Sequence, residues 1–213
     1  MRISIIYDNT TTDKELIADW GFSCLVEFRD RKLLFDTGGN GKILLDNMRK
    51  MKINPADIDD VVISHPDFDH IGGLSAFLNK NSTAKIHVPI SFKGIKYPNS
   101  VIGYSSMTQI YANVFLSGEM MNREQSLAIR LEKGIVIVVG CSHPGLGNII
   151  KEFATIDRIY AVVGGFHGFD EFSVLNEIDS ICATHCTVNK SRIQELFPKQ
   201  FIEGGVGKII EYK

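Results

Sequence analysis

The amino-acid sequence predicts an α/β fold on three observations. Three alternating or continuous apolar segments, the pattern of strands, occur within residues 1–35. Further along, short apolar runs are followed by polar, glycine-containing loops and then by apolar residues at helical spacing. The chain has 213 residues, of which 44% are hydrophobic, enough for one core of ordinary size. We therefore expect a single α/β domain over residues 1–213.

The expected elements follow from this periodicity and from turn residues such as Asp30-Arg31 and Asn54-Pro55. The solid apolar run at residues 135–139 is typical of a buried strand, whereas residues 89–119 show no clear pattern. Polar, glycine-containing loops are expected at residues 64–73, 140–147 and 164–169. Strands are expected at residues 3–7, 22–28, 32–35, 61–63, 85–88, 126–131, 135–139, 158–163 and 208–212, with residues 183–186 at a strand end. Helices are expected at residues 43–51, 74–78, 148–153, 174–181 and 191–197.

Composition disfavours several classes of protein. The formal net charge is −2 and there is no long basic run, which argues against a large nucleic-acid footprint. No apolar run approaches the roughly 20 residues that span a bilayer, and the first residues lack the pattern of a signal peptide. We therefore expect a cytoplasmic protein without a membrane partner. In that compartment the four cysteines are expected to be reduced thiols.

The histidines are unevenly placed. Five of the six lie in polar or glycine-rich loops that follow apolar strands, namely His65, His70, His143, His167 and His185. The sixth, His87, lies within a strand-like run and is interpreted as a hydrogen-bonded core residue. Because sites of α/β proteins are built from loops at one edge of a sheet, the five loop histidines predict a shared site.

The run from His65 to His70 carries the densest chemistry. It places four potential metal ligands, including Asp67 and Asp69, within six residues. Neutral imidazole and carboxylate together suit zinc, manganese or iron. Glycines 72 and 73 allow close backbone packing before the next helix. The alternative interpretation is a polar loop in which Asp69 caps that helix.

The His65–His70 run resembles the His-x-His-x-Asp-His signature of the metallo-β-lactamase superfamily. Further motifs occur in order: Asp8-Asn9, Gly21-Phe22-Ser23, Leu34-Phe35-Asp36-Thr37-Gly38, Gly140-Cys141-Ser142-His143, Gly164-Gly165-Phe166-His167 and Thr184-His185-Cys186-Thr187. Together they are similar to the branch that contains the dihydropterin–ribofuranosylaminobenzene 5′-phosphate synthases. The resemblance covers nearly the whole chain and is weakest at residues 89–124. It implies a four-layer αββα metallo-β-lactamase sandwich with a dinuclear metal site at one edge.

The resemblance also implies a ligand set. The first metal would be held by His65, Asp67 and His143, and the second by Asp69, His70 and His185. Asp36 would support the site without binding metal. Asp67 stands where the superfamily usually has histidine, and this carboxylate shifts preference from zinc toward iron, manganese or magnesium.

A second departure concerns the aspartate that usually bridges the two metals. Residues 161–167 contain none, so His167 is expected to replace it, to contact substrate or to act as an acid or base. Cys141 and Cys186 flank site histidines and are interpreted as structural thiols rather than ligands. The segment 145–148 is equally compatible with a phosphate-binding loop and a plain turn.

The leading hypothesis is a metal-dependent hydrolase or transferase acting on a small substrate that bears a phosphate or pyrophosphate. His167 and Asp69 are the expected catalytic residues. One or two divalent metal ions are expected as cofactors, with zinc first and manganese, iron or magnesium as alternatives. Two rival hypotheses are a diiron redox protein, motivated by Asp67, and a non-catalytic metal-binding protein, motivated by the absent aspartate. Assembly into a homo-oligomer stays open.

Overall fold

In the computed structural model, which describes residues 1–94 and 96–213, the chain forms two β-sheets with helices on their outer faces. The strands are β1 (Arg2–Tyr7), β2 (Ser23–Phe28), β3 (Arg31–Phe35), β4 (Asp60–Val62), β5 (Lys85–Pro89), β6 (Val101–Tyr104), β7 (Thr108–Tyr111), β8 (Val114–Leu116), β9 (Leu127–Leu131), β10 (Gly134–Val139), β11 (Ile159–Gly165), β12 (Ser180–Thr184) and β13 (Ile209–Glu211). The first sheet has the order β13-β1-β2-β3-β4-β5-β6, and the second has the order β12-β11-β10-β9-β8-β7.

The α-helices are α1 (Gly41–Lys50), α2 (Phe68–Ile71), α3 (Leu74–Leu78), α4 (Leu146–Ala154) and α5 (Lys190–Leu196). Short 3₁₀ turns lie at Pro55–Asp57 and Phe172–Leu175. Helix α1 begins where the Asn40 side chain accepts hydrogen bonds from the backbone of Lys42 and Ile43. Arg49 and Lys50 in its last turn complement the helix dipole.

Three apolar clusters define the layers. The central one lies between the sheets and joins residues such as Ile3 and Val26 of the first sheet to Val136 and Val163 of the second. One outer cluster packs α1 and α3 on the first sheet, and the other packs α4 and α5 on the second. The four-layer αββα sandwich implied by the sequence resemblance is therefore confirmed.

The direction of the strands explains where the polar loops meet. Strands β3, β4 and β5 are parallel, and so are β10, β11 and β12. Their carboxyl ends therefore lie at a common edge within each sheet. The residues that follow these ends are Asp36 after β3, His65 after β4, Cys141 and His143 after β10, His167 after β11 and His185 after β12.

Several sequence expectations differ from the structure. A helix at residues 174–181 was wrong, because Phe172–Leu175 is only a 3₁₀ turn and Ser180–Thr184 is the buried strand β12. The expected loop at residues 64–73 contains helix α2, and strand β11 continues through Gly165. The segment without a clear pattern holds β6, β7 and β8. Short strands with mixed exposure carry too few alternations to reveal their period.

Within the described residues, no helix is both long enough and apolar enough to cross a membrane.

Candidate metal centre

The backbone at the shared edge adopts an uncommon conformation. Asp36, Ser142, His167 and His185 have φ values of 55°, 60°, 46° and 48°, in the left-handed region that residues other than glycine seldom occupy. Each of these residues follows a strand by only a few positions, so the chain turns sharply as it leaves the sheet. Such strain is typical of functional sites, where the surrounding structure holds the side chains in place.

The ligand atoms of Asp69, His70 and His185 form the more buried of two groups at this edge. His70 Nε2 lies 3.2 Å from His185 Nε2. The Asp69 Oδ2 atom lies 3.4 Å from His185 Nε2 and 3.8 Å from His70 Nε2. Ligands about 2.1 Å from a tetrahedral zinc ion are roughly 3.4 Å from one another, so the three atoms are spaced as a metal requires.

The second group consists of His65, Asp67 and His143, whose ligand atoms lie within 4.8 Å of one another. His65 Nε2 is 3.5 Å from Asp67 Oδ2, and the rings of His65 and His143 are 4.7 Å apart. The Asp67 side chain is 40% exposed, whereas those of His70 and His185 are fully buried. This group therefore faces the open side of the site.

The orientation of the imidazoles supports metal binding. The Nδ1 atom of each proposed histidine ligand donates a hydrogen bond to a different acceptor. The pairs are His65 with Ser64 Oγ, His70 with Asp36 Oδ2, His143 with Glu124 Oε2, and His185 with Asn9 Oδ1. Their Nε2 atoms are consequently the ones with a free lone pair. His65 Nε2 is buried and has no hydrogen-bond partner among residues 1–94 and 96–213. A bound cation would satisfy this atom, so the residues present fit a metal.

Asp36, which the resemblance gives a supporting role, orients residues of the candidate centre through hydrogen bonds. Its Oδ1 accepts from the backbone N–H of Ser64, and its Oδ2 accepts from Ser64 Oγ and His70 Nδ1, at 2.6–2.7 Å. Ser64 Oγ in turn accepts from His65 Nδ1 at 2.8 Å. One buried carboxylate thus fixes the rings of two neighbouring histidines.

Glu124 performs the same task for the second sheet, and the sequence interpretation missed it. Its carboxylate accepts from the backbone N–H groups of Cys141, Ser142 and His143 and from His143 Nδ1, at 2.8–3.0 Å. Burial would raise the pKa of Glu124, but these hydrogen bonds and the nearby His65 lower it to about 2. The available signal was the polar pair Glu124-Gln125 directly before a buried strand.

Ionisation of two proposed ligands, His65 and Asp69, favours cation binding. At His70, burial would lower the pKa, but the Asp36 and Asp69 carboxylates raise it. Burial, with the neighbouring His70, lowers the pKa of His65 to about 4, so its imidazole is neutral near pH 7. Burial would raise the pKa of Asp69, but hydrogen bonding to His185 and the adjacent His70 hold it below its ordinary value. Neutral imidazoles and an ionised carboxylate are the forms that bind metal.

Two cysteines reach the centre. Cys141 Sγ lies 3.2 Å from His70 Nε2 and 3.3 Å from Cys186 Sγ. Cys141 forms one candidate ligand group with His65 and His70, and another with His185 and Cys186. The hydrogen bond with Cys141, with nearby His185, lowers the pKa of Cys186. The two thiols therefore contact potential ligands, whereas the sequence interpretation gave them a structural role.

His167 lies at the rim. Its ring is 5.1 Å from that of His143, and the residue is exposed. Among the described residues, no candidate ligand group contains His167. The residue instead lines a cavity of about 350 Å³ together with His143, Gly145, Gly147 and Asn148.

Arg123 lies beside the open group, where its Nη2 atom donates to Asp67 Oδ2 at 2.7 Å. An acid–base group and a guanidinium thus flank the exposed ligands.

His87 stands apart from the centre, as expected. It lies in β5, where its ring bonds Asp60 and the hydroxyl of Tyr104 at 2.8 and 2.9 Å. It is a satisfied core residue.

Comparison with known proteins agrees with the fold. Residues 21–106 match the model of the metallo-β-lactamase superfamily. The crystal structure of Tm1679, a metal-dependent hydrolase of the β-lactamase superfamily, superposes with a TM-score of 0.80 and 26% identity, covering 100% of this chain and 99% of that one. The metallo-β-lactamase fold protein YhfI from Bacillus subtilis superposes with a TM-score of 0.72 and 12% identity, covering 98% of each chain. The chain therefore has the metallo-β-lactamase fold.

Sequence comparison also finds a similar protein within one branch of the superfamily. The chain is 28% identical to the 7,8-dihydropterin-6-methyl-4-(β-D-ribofuranosyl)-aminobenzene-5′-phosphate synthase of Methanocaldococcus jannaschii, over 90% of this chain and 90% of the relative. The resemblance to the superfamily and to its dihydropterin synthase branch is thereby confirmed.

Proposed function

We propose that this chain is a metal-dependent enzyme of one domain, residues 1–213, that hydrolyses or transfers a phosphate- or pyrophosphate-bearing group of a small molecule. The observation that carries the proposal is the pair of adjacent ligand groups at one edge of the sandwich, with His65 Nε2 buried and without a partner. One or two divalent cations, zinc first, would bind Asp69, His70 and His185 and the group formed by His65, Asp67 and His143. When bound, they would supply Lewis acidity that polarises a phosphate oxygen or lowers the pKa of water.

The substrate class is supported by the rim of the site and by a relative. Arg123 presents a guanidinium beside Asp67, which suits an anionic oxygen. The cavity of about 350 Å³ next to His143 and His167 is large enough for a small molecule. The relative from Methanocaldococcus jannaschii is a synthase whose name contains a 5′-phosphate. Hydrolysis is equally supported, because Tm1679 is a metal-dependent hydrolase.

His167 and Asp69 are the proposed catalytic residues. His167 is exposed, lines the cavity and lies beside His143, so its imidazole is placed to give or accept a proton at a leaving oxygen. Asp69 Oδ2 lies 3.4 Å from His185 Nε2, and the pKa of Asp69 is held below its ordinary value, so its carboxylate can hold a cation at the buried end.

Activity of the metal-loaded protein tests the proposal. We expect turnover of a phosphodiester or a pterin pyrophosphate, and slower or absent turnover of lactones and thioesters. In His167→Gln, kcat should fall by roughly 10²- to 10⁴-fold at unchanged metal content. In His70→Ala, bound metal and turnover should both be lost. Inactivity toward all four substrate classes, with metal content verified, would overturn the proposal in favour of a non-catalytic metal-binding protein.

A diiron redox protein is the second candidate, because Asp67 adds a carboxylate to the open group. Metal analysis of protein grown with equal iron, zinc and manganese separates the two candidates. Iron as the dominant metal would support the redox function, and zinc or manganese without iron would exclude it.

A further inference from the structure

The candidate centre contains a cysteine sulfur, whereas residues 161–167 lack the aspartate that usually bridges the two metals in the superfamily. Cys141 Sγ is 3.2 Å from His70 Nε2, and Cys141 as a residue is only 4% exposed. It lies within 4.8 Å of ligand nitrogens of His65 and His70, and likewise of His185. His65 belongs to the open group, and His70 and His185 belong to the buried group, so Cys141 lies near ligand atoms of both proposed metal groups.

The backbone leaves no room for a side chain at the end of β11, where the aspartate was sought. A Cβ at Gly165 would lie 2.4 Å from Gly140 O and 2.7 Å from Cys186 Sγ. The Cys186 thiol, in contact with Cys141, therefore fills the space that a side chain at position 165 would enter. The glycine and the two cysteines form one complementary arrangement.

From this geometry we infer that Cys141 is a metal ligand shared between the two groups and takes the place of the missing bridging aspartate. Cys186 positions it. The thiol of Cys141 would lose its proton to solvent as its sulfur binds the cation. This inference deepens the proposed function, on which it rests, by assigning a seventh ligand.

A shared thiolate changes the choice of metal. Sulfur is a soft ligand that favours zinc or cobalt over magnesium. The carboxylate of Asp67 is a hard ligand, which favours magnesium or manganese, but it belongs to the open group only. We therefore expect the site to select zinc or cobalt over magnesium, most strongly at the buried group.

Cobalt(II) titration of the reduced full-length protein tests the inference, because a cobalt–sulfur bond produces a charge-transfer band in the near ultraviolet, which imidazole and carboxylate ligands alone do not. We expect the band in the wild type and its loss in Cys141→Ser. It should persist in Cys186→Ser and in the control Cys24→Ala, which alters a buried thiol outside the candidate ligand groups. Zinc affinity in Cys141→Ser should fall by roughly tenfold or more, since even outer partners of ligands contribute this much.

X-ray absorption of the zinc-loaded wild type supplies a measurement that needs no variant, so it stands even if Cys141→Ser does not fold. A zinc–sulfur distance of about 2.3 Å is expected. Cobalt and zinc bound through nitrogen and oxygen alone would overturn the inference and leave the proposed function intact. Loss of the band in Cys186→Ser but not in Cys141→Ser would also overturn it. Failure to bind either metal would instead refute the proposed function.

Discussion

At the scale of single residues, two buried carboxylates, Asp36 and Glu124, orient the proposed histidine ligands. Neither carboxylate is itself a proposed metal ligand. Glu124 is fully buried and holds three backbone N–H groups together with the His143 ring. An amide in its place could accept fewer of these hydrogen bonds and would carry no charge. Glu124 therefore links the first turn after β10 to the orientation of a proposed ligand.

We expect Glu124→Gln to weaken zinc binding by roughly 10- to 100-fold, because partners that orient ligating histidines contribute about this much. Competition with a chromogenic chelator measures the affinity. Glu132→Gln, which alters an exposed carboxylate, is the matched control and should bind zinc like the wild type. Equal affinities in the two variants would contradict a positioning role for Glu124.

Gly165, the last residue of β11, and Gly168, in the loop after it, allow a comparison of local space. A Cβ at Gly165 would approach backbone and sulfur within 2.7 Å, whereas a Cβ at Gly168 would meet nothing within 4 Å. We expect Gly165→Ala to lower the free energy of unfolding by about 1–3 kcal/mol through overpacking. Gly168→Ala should change it by less than about 0.5 kcal/mol. Urea unfolding measures both, and an equally mild effect at position 165 would show that the thiols yield easily.

At the scale of elements, one contact joins the sheets far from the metal centre. Tyr111 of β7, in the second sheet, donates its hydroxyl to Asp60 Oδ1 of β4, in the first, at 2.8 Å. Arg31 lies over the Tyr111 ring at 4.3 Å. Burial and the Asp60 carboxylate raise the pKa of Tyr111 to about 12. The protonated phenol is thus favoured in the folded state.

A raised pKa gives stability that is present below the unfolded value, about 10 for tyrosine, and is lost as pH rises through the folded value. Between pH 10 and 12 we therefore expect stability to fall more in the wild type than in Tyr111→Phe. Near pH 7 the variant should instead be weaker, by about 0.5–1.5 kcal/mol for the lost hydrogen bond. Denaturant unfolding across this pH range measures both effects, with Tyr97→Phe as the control. Parallel alkaline losses in wild type and Tyr111→Phe would contradict the assignment.

Sequence periodicity predicted elements well where one strand-like or helical pattern runs through the whole segment. Strand β10 was recognised from six consecutive buried residues, and helix α3 from the helical spacing of Leu74, Phe77 and Leu78. The first two residues of β12 and the segment before them were mistaken for helix, because apolar residues 174, 175, 178 and 181 happen to repeat at helical spacing. Residues 174 and 175 instead lie in a 3₁₀ turn, residue 178 in the connection after it and residue 181 in strand β12.

At the scale of the whole molecule, the proposed ligands were found because motifs follow parallel strands, and such strands end at one edge. Glu124 was missed, and Cys141 was interpreted as a structural thiol, because their contacts join segments that are distant in the chain. Glu124 is 19 residues before His143 in the chain, and Cys141 lies 71 residues from His70. No local pattern encodes such pairings, whereas the spacing within His65–His70 is local.

The same long-range arrangement would make the proposed metal binding depend on the entire fold. His65, Asp67, Asp69 and His70 come from the first sheet's side, whereas His143 and His185 follow strands of the second. A cation held by both groups would connect the two sheets, and the unfolded chain would hold it far less tightly.

We therefore expect zinc to stabilise the protein against heat. At a free zinc concentration 100 times the Kd, the gain is about 2.7 kcal/mol. For a chain of this size, that corresponds to a Tm roughly 5–10 °C higher than with a chelator. Calorimetry with and without zinc measures the shift. It should disappear in His70→Ala and persist in His87→Asn, since His87 lies in β5 outside the candidate ligand groups and bonds Asp60. The His70→Ala variant lacks both the hydrogen bond to Asp36 and the contact with His185. An undiminished Tm shift in this variant would therefore show that the stabilising zinc binds elsewhere in the protein.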